Sequence, residues 1–271
     1  MISTVSTWLL AVPALVTFAS AQDVGKFVHQ APDFKATYDV NEQHEVSVTF
    51  TVKGGPKYTI IEGEAVLRSV VDDEYTLGPH KLVGTPKPST YAMDNQNLLS
   101  LDVIAAPLQR ALIDYGVGDG FGTIKPSDMT ELTYTSADTF TTTLGSRRLL
   151  FTRDAYDLVE GDFVYKDPIA PHHEMTYTIR DDGILGIRVK CGKHRASSGP
   201  LKLVPRYHDK RRIRYEVEST GRGNLYTFLH KARQICPSKF STPNALSQVV
   251  FATEKTIFVP FEGGTLALTK V

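Results

Sequence analysis

The chain has 271 residues, with 30 Lys+Arg against 30 Asp+Glu, 41% apolar residues and two cysteines. Zero net charge excludes a uniformly basic surface, and nucleic acid is not expected as a partner because the N-terminal leader points to a secreted chain, away from genomic DNA. Two cysteines exclude a disulfide-dense miniature scaffold, and the length suits one large β domain or two ordinary ones.

Residues 1–21 read as a leader. Thr7 to Phe18 is the apolar run TWLLAVPALVTF, and Ala19, Ser20 and Ala21 follow as a small-x-small site. This is the pattern of a secretory signal peptide cut before Gln22. The run is short for a bilayer span and lacks a basic flank. No later stretch reaches transmembrane length, so the mature chain is expected to be secreted and extracellular, without a membrane span.

The mature chain says nearly the same thing twice. GKFVHQAP opens at Gly25 and GDFVYKDP at Gly161, an offset of 136. Thr37 to Val40 then matches Thr176 to Ile179 at 139, and Asn97-Leu98 matches Asn224-Leu225 at 127. Pro126 to Arg153 aligns without gaps on Pro243 to Lys270, at 117. The matches keep their order, which points to duplication of a unit too long for a solenoid. The expected organisation is a signal peptide at 1–21, a first repeat domain at 22–155 and a second at 156–271.

In the first copy, Phe34–Val40 and Glu45–Val52 alternate apolar and polar residues and predict strands, as does Tyr58–Val70. Leu101, Ile104, Leu108 and Leu112 share one helical face, with Pro107 as a kink or split. Thr139–Leu144 and Leu149–Arg153 close the copy as a hairpin.

In the second copy, Met175–Arg180 and Ile184–Cys191 flank Asp181-Asp182-Gly183, a strong hairpin signal because Gly accepts positive φ. Ile213–Glu218 predicts another strand. Leu225, Phe228, Leu229, Ala232 and Cys236 predict a helix with Asn224 as N-cap and Pro237 as stop. Thr256–Phe261 and Thr265–Lys270 form the last hairpin, around Gly263-Gly264. The fold class is therefore mainly β (α+β). It is a tandem duplication of an antiparallel sheet or small barrel of six or seven strands, each copy with one helix packed on the sheet. The Gly-x-Phe of the first strand resembles the Gly-x-Trp that opens lipocalin barrels, in three residues and without the Trp; no family is identified from it.

Cys191 and Cys236 are expected to pair, because an even pair in an oxidising compartment is bridged more often than free. The recurrent nucleophile, phosphate-loop and zinc-protease patterns are absent, as is Asn-x-Ser/Thr. The glycines at 116, 118, 120 and 122 follow a helix and precede strands, the reverse of a nucleotide loop, and read as a connection. His172, His173 and Glu174 give no metal site, since adjacent strand residues face opposite ways. No cofactor and no metal are expected.

Charge is unevenly spread. Residues 23–153 carry 12 Lys+Arg and 17 Asp+Glu, whereas residues 154–271 carry 18 and 13. The halves are therefore expected to attract each other or to present opposite faces. The densest basic stretch holds Lys210, Arg211, Arg212 and Arg214. With Ile213, Tyr215 and Val217 facing inward, Arg212 and Arg214 face outward and can hold sulfates or phosphates through forked hydrogen bonds. The same pattern also suits a charged strand edge or a surface docking on the acidic half.

The expectation is a secreted, non-catalytic two-domain binding or interaction protein. Its ligand would be an extracellular polyanion, an anionic lipid, an acidic protein or a small apolar molecule. The alternatives are a secreted hydrolase with a site assembled in the second repeat, drawing on His172, His173, His208 and Asp209, and an extracellular structural or coat protein.

Overall fold

In the computed structural model, residues 24–271 are described except 33, 54–55, 62–63, 71–72, 95–104, 107, 111, 114–120, 126, 169, 171, 209–210 and 243. For the rest of 54–73 and for 208, 212 and 213, the backbone alone is described. Residues 1–23, which include the leader, the glycines at 116, 118 and 120, and Lys210 thus lie outside the described residues.

Alternating sequence becomes strand wherever one face can be buried. The first copy comprises β1 (Gly25–Gln30), β2 (Phe34–Val40), β3 (Glu45–Val52), β4 (Pro56–Ile61), β5 (Glu64–Val70), β6 (Asp73–Gly84), β7 (Thr90–Met93), β8 (Glu131–Ser136), β9 (Thr139–Leu144) and β10 (Arg147–Arg153). The second comprises β11 (Gly161–Lys166), β12 (Glu174–Ile179), β13 (Ile184–Cys191), β14 (His194–Ser197), β15 (Leu201–His208), β16 (Arg211–Ser219), β17 (Gln248–Phe251), β18 (Thr256–Phe261) and β19 (Gly264–Lys270).

The first copy is a closed antiparallel barrel in the order β1-β10-β9-β8-β7-β6-β3-β2. The second runs β11-β19-β18-β17-β16-β15-β13-β12, and its β12–β13 pairing closes it in the same order. Each copy is therefore an eight-stranded barrel rather than a sheet of six or seven strands. The difference arises partly because short strands such as β7 and β17 carry too few residues to show a period. The expected single strand over Tyr58–Val70 is instead the hairpin of β4 and β5, inserted between barrel strands.

The duplication extends to individual hydrogen bonds. Met129 N–H donates to Thr143 O at 2.8 Å, and Leu246 N–H to Pro260 O at 2.8 Å. Both donors have positive φ, 65° and 60°. Asp154 N–H donates to Lys26 O at 2.8 Å, and Val271 N–H to Asp162 O at 3.0 Å. These pairs reproduce the sequence offsets of 117 and 136, so backbone geometry and sequence repeat together.

The barrels are filled from inside. In the first, Phe140 and Phe151 stack at 4.9 Å with Tyr38 edge-on to both, and Phe27, Phe34 and Phe50 complete an aromatic interior. Each such ring pair adds about 0.5–1.5 kcal/mol beyond area burial. In the second, Phe163, Tyr177, Tyr215 and Phe251 play the same part with Leu185, Ile187 and Leu203. A barrel of eight strands is just wide enough for side chains to fill or for one small ligand, and the described side chains here pack into the interiors.

The helix Leu225–Ile235 lies between β16 and β17 and buries Phe228, Leu229 and Ala232, as their spacing requires. Asn224 caps it by accepting from Thr227 N–H at 2.9 Å. In the first copy, residues 105–106, 108–110 and 112–113 are helical at the same point of the topology, and Leu108 and Leu112 are buried. Leu101, Ile104 and Pro107 lie outside the described residues. Cys191 and Cys236 are bonded, tying the end of the helix to β13 across 45 residues. A loop of that length corresponds to about 4 kcal/mol in the chain-entropy account. Among the described residues no helix is long and apolar enough to cross a membrane.

Candidate functional site

Hydrogen bonds, apolar packing and one buried cation join the two barrels. Val24, Ala252 and Phe258 form a small core between them. Arg153, 1% exposed, donates to Val24 O at 2.7 Å and to Ala137 O at 2.9 Å, and pairs with Asp138 at 3.0 Å. Glu42, in the turn after β2, accepts from the hydroxyls of Thr253 and Thr256 of the second barrel. Burial works against its charge, yet the Thr253 hydrogen bond, a backbone hydrogen bond, Thr256 and the Lys255 charge hold its carboxyl below the ordinary value. Of these contacts, only Glu42 with Lys255 sets opposite charges of the two halves beside each other, while Arg153 and Asp138 both belong to the first half.

Beside this junction lies a solvent-open cleft of about 490 Å³. Its first wall is the outer face of the first barrel, with Lys26 on β1 and Asp39 on β2. Its floor is the connection between barrels, with Asp154, Ala155, Tyr156 and Asp157. Its second wall is the β15–β16 hairpin, with Tyr207 and Arg211. The hairpin is fixed by Arg211, which donates from Nη1 to Val28 O of β1 at 3.0 Å.

The lining groups already engage each other. Lys26 Nζ is 4.0 Å from Asp154, and the Tyr156 hydroxyl donates to Asp39 at 3.4 Å. Burial, followed by the charge of Asp39, pushes the Tyr156 phenol above its ordinary value, so it remains a donor at physiological pH. Tyr207 is 58% exposed.

The structure distributes the basic stretch unevenly. Lys210 and the Arg212 side chain lie outside what is described. Tyr215 and Val217 face the core as the alternation requires, which puts Arg214 outward. There it lies opposite Arg206 and close to Glu216. Arg206 is engaged by Glu216 at 2.7 Å and Glu218 at 3.3 Å. The Arg206 hydrogen bond holds the exposed Glu216 carboxyl below its usual range. Acidic residues thus alternate with the basic ones along this face, while Arg211 reaches the cleft.

The other candidates separate too, although His172 and His173 precede β12 rather than lie on it and His172 has a φ of 51°. His172 is exposed, while His173 is 1% exposed and its Nδ1 is 2.8 Å from Asp167. It lies against the Phe261 and Tyr165 rings and away from the cleft. A His–carboxylate pair therefore exists in the second repeat, but packed into the protein. The His208 side chain and Asp209 lie outside the described residues. Among the described residues, no group of three His, Cys, Asp or Glu is placed to hold a metal.

A second hollow of about 340 Å³ lies at the start of the helix, lined by Ser198, Arg222, Asn224 and Lys231 among others. The first barrel retains an apolar space of about 30 Å³ beneath Leu108. The cleft was not legible in sequence, because its walls come from positions 26 and 211. The one signal for it was the expectation that the basic stretch docks on the first half. No protein-family model and no curated protein matches the chain.

Proposed function

We propose that the chain is a secreted, non-catalytic binding protein built from two copies of one barrel, with its ligand held in the cleft between them. The observation that carries this is the contrast between the filled barrel interiors and the open, polar cleft at their junction. Ligand sites favour domain junctions, where a few convergent polar groups fix orientation. The filled interiors favour this site over an apolar ligand inside a barrel. Secretion is supported by the apolar run with its small-x-small site, and by the disulfide, which suits an oxidising compartment.

The test is a panel of immobilised extracellular ligands: sulfated glycosaminoglycans, neutral and amino glycans, anionic vesicles and acidic peptides. The chain should retain one class; Tyr207→Ala should lose it, and Asp39→Lys should weaken a neutral or cationic ligand and strengthen an anionic one, both variants melting at the wild-type temperature. Retention unaltered in both variants, or retention of no class, would overturn the proposal.

A further inference from the structure

The cleft has a more specific chemistry. Among the described residues that line it, two cations, Lys26 and Arg211, face three carboxylates, Asp39, Asp154 and Asp157. Among these described groups a sulfate or phosphate meets more negative than positive charge, and like charges at close range oppose binding. Both signs are partly committed, Lys26 with Asp154, Asp39 to the Tyr156 hydroxyl, and Arg211 to a backbone carbonyl. Any occupant must therefore offer donors to carboxylates and acceptors to the ammonium, guanidinium and phenol groups together.

Sugar hydroxyls do both, and hydrogen bonds to ionised partners are the stronger kind. Tyr207 adds a second requirement that a sugar meets. More than half exposed, it offers a flat ring against which the C–H face of a pyranose can lie. The volume falls in the roughly 300–1,000 Å³ range of small-ligand sites.

We infer that the cleft between the barrels binds a neutral or amino saccharide, with Tyr207 as stacking platform and Asp39, Asp154 and Asp157 as acceptors for its hydroxyl or ammonium groups. The inference rests on the reading of the cleft as the ligand site and names the substance held there. The three described carboxylates make an ammonium welcome, so a free amino sugar should bind at least as well as its N-acetylated form.

Calorimetric titration of the chain with triacetylchitotriose, with its de-N-acetylated counterpart and with a heparin hexasaccharide about twice as long tests this. The expected result is binding of the first two at least tenfold tighter than the third. Tyr207→Ala should weaken both by tenfold or more, and Tyr207→Phe should restore most of that loss by returning the ring. Hexasaccharide binding that is stronger and lost in the cleft variants would overturn the saccharide assignment while leaving the cleft as the ligand site. Binding of the neutral trimer unaffected by Tyr207→Ala would overturn both, and binding of neither chitotriose would overturn the assignment alone.

Discussion

The Arg153 guanidinium lies 4.4 Å from the centroid of the Phe27 ring, the phenylalanine of the phrase that opens the first copy. The two residues are paired across β1 and β10, and the same cation lies 5.3 Å from Phe258 of the second barrel. The second copy pairs Phe163 with Lys270 in the same register. A basic residue on the last strand thus covers the first strand in each copy, and in the first copy it also serves the junction.

Arg153→Met should therefore cost about 3 kcal/mol, because buried carbonyls lose charged donors. Urea unfolding should show a lower midpoint. Lys270→Met, at an exposed position, should change the unfolding free energy by less than about 1 kcal/mol.

Gly25 and Gly161 differ in the same way. Their φ values are 126° and 140°, a region disfavoured for residues with a Cβ. A Cβ on Gly25 would lie 2.4 Å from Arg153 Nη1 and 3.0 Å from Ala252 O, whereas on Gly161 it would meet the flexible Lys270 side chain at 2.6 Å. Gly25→Ala should cost about 2 kcal/mol or more, and Gly161→Ala about 1 kcal/mol. Equal melting temperatures for the two variants would contradict this difference.

Tyr38 and Tyr177 are equivalent and fully buried, and burial raises both phenols above their ordinary value. Tyr38 donates to Met129 O at 2.6 Å, whereas the Tyr177 hydroxyl has no hydrogen-bond partner among the described residues. Tyr38→Phe should cost about 1 kcal/mol, and Tyr177→Phe should be neutral or stabilising by up to about 1 kcal/mol, read from chemical unfolding.

Acid should weaken the second barrel through His173. Burial lowers its pKa, opposed by the adjacent Asp167 and by Glu262, with Lys239 reinforcing the lowering. The unfolded chain, with a histidine pKa near 6.5, then binds the proton more readily than the folded one. The stability linked to neutral His173 is complete above that value and is lost as pH falls below it toward the folded pKa. Melting temperature should fall from pH 7 to pH 5, and His173→Gln should flatten that fall. Parallel profiles for the two proteins would contradict the assignment.

How much of this was legible follows from how far each signal reaches along the chain. Pro126–Arg153 and Pro243–Lys270 align without gaps, and they fold as three consecutive strands in each copy with matching hydrogen bonds. The helix face and the disulfide were legible for the same local reason, a short spacing or a pair without rivals. Eight strands per copy were not, because β6 contains Gly78-Pro79 and β15 contains Pro205, which read as breakers. Both lie beside register shifts, where a strand tolerates a residue without a donor. The cleft was hidden more completely. Lys26, Asp39, Tyr156 and Tyr207 form no pattern until both barrels close and the connection sets one against the other.

The most direct measurement is amide chemical-shift mapping of the isotope-labelled chain during titration with triacetylchitotriose. The account predicts shifts concentrated at Lys26, Asp39, Ala155, Tyr156, Asp157, Tyr207 and Arg211. Shifts centred instead on Leu108, Ile124 and Leu144 at the first barrel, or on the helix Leu225–Ile235, would contradict it, as would a spectrum that the saccharide leaves unchanged.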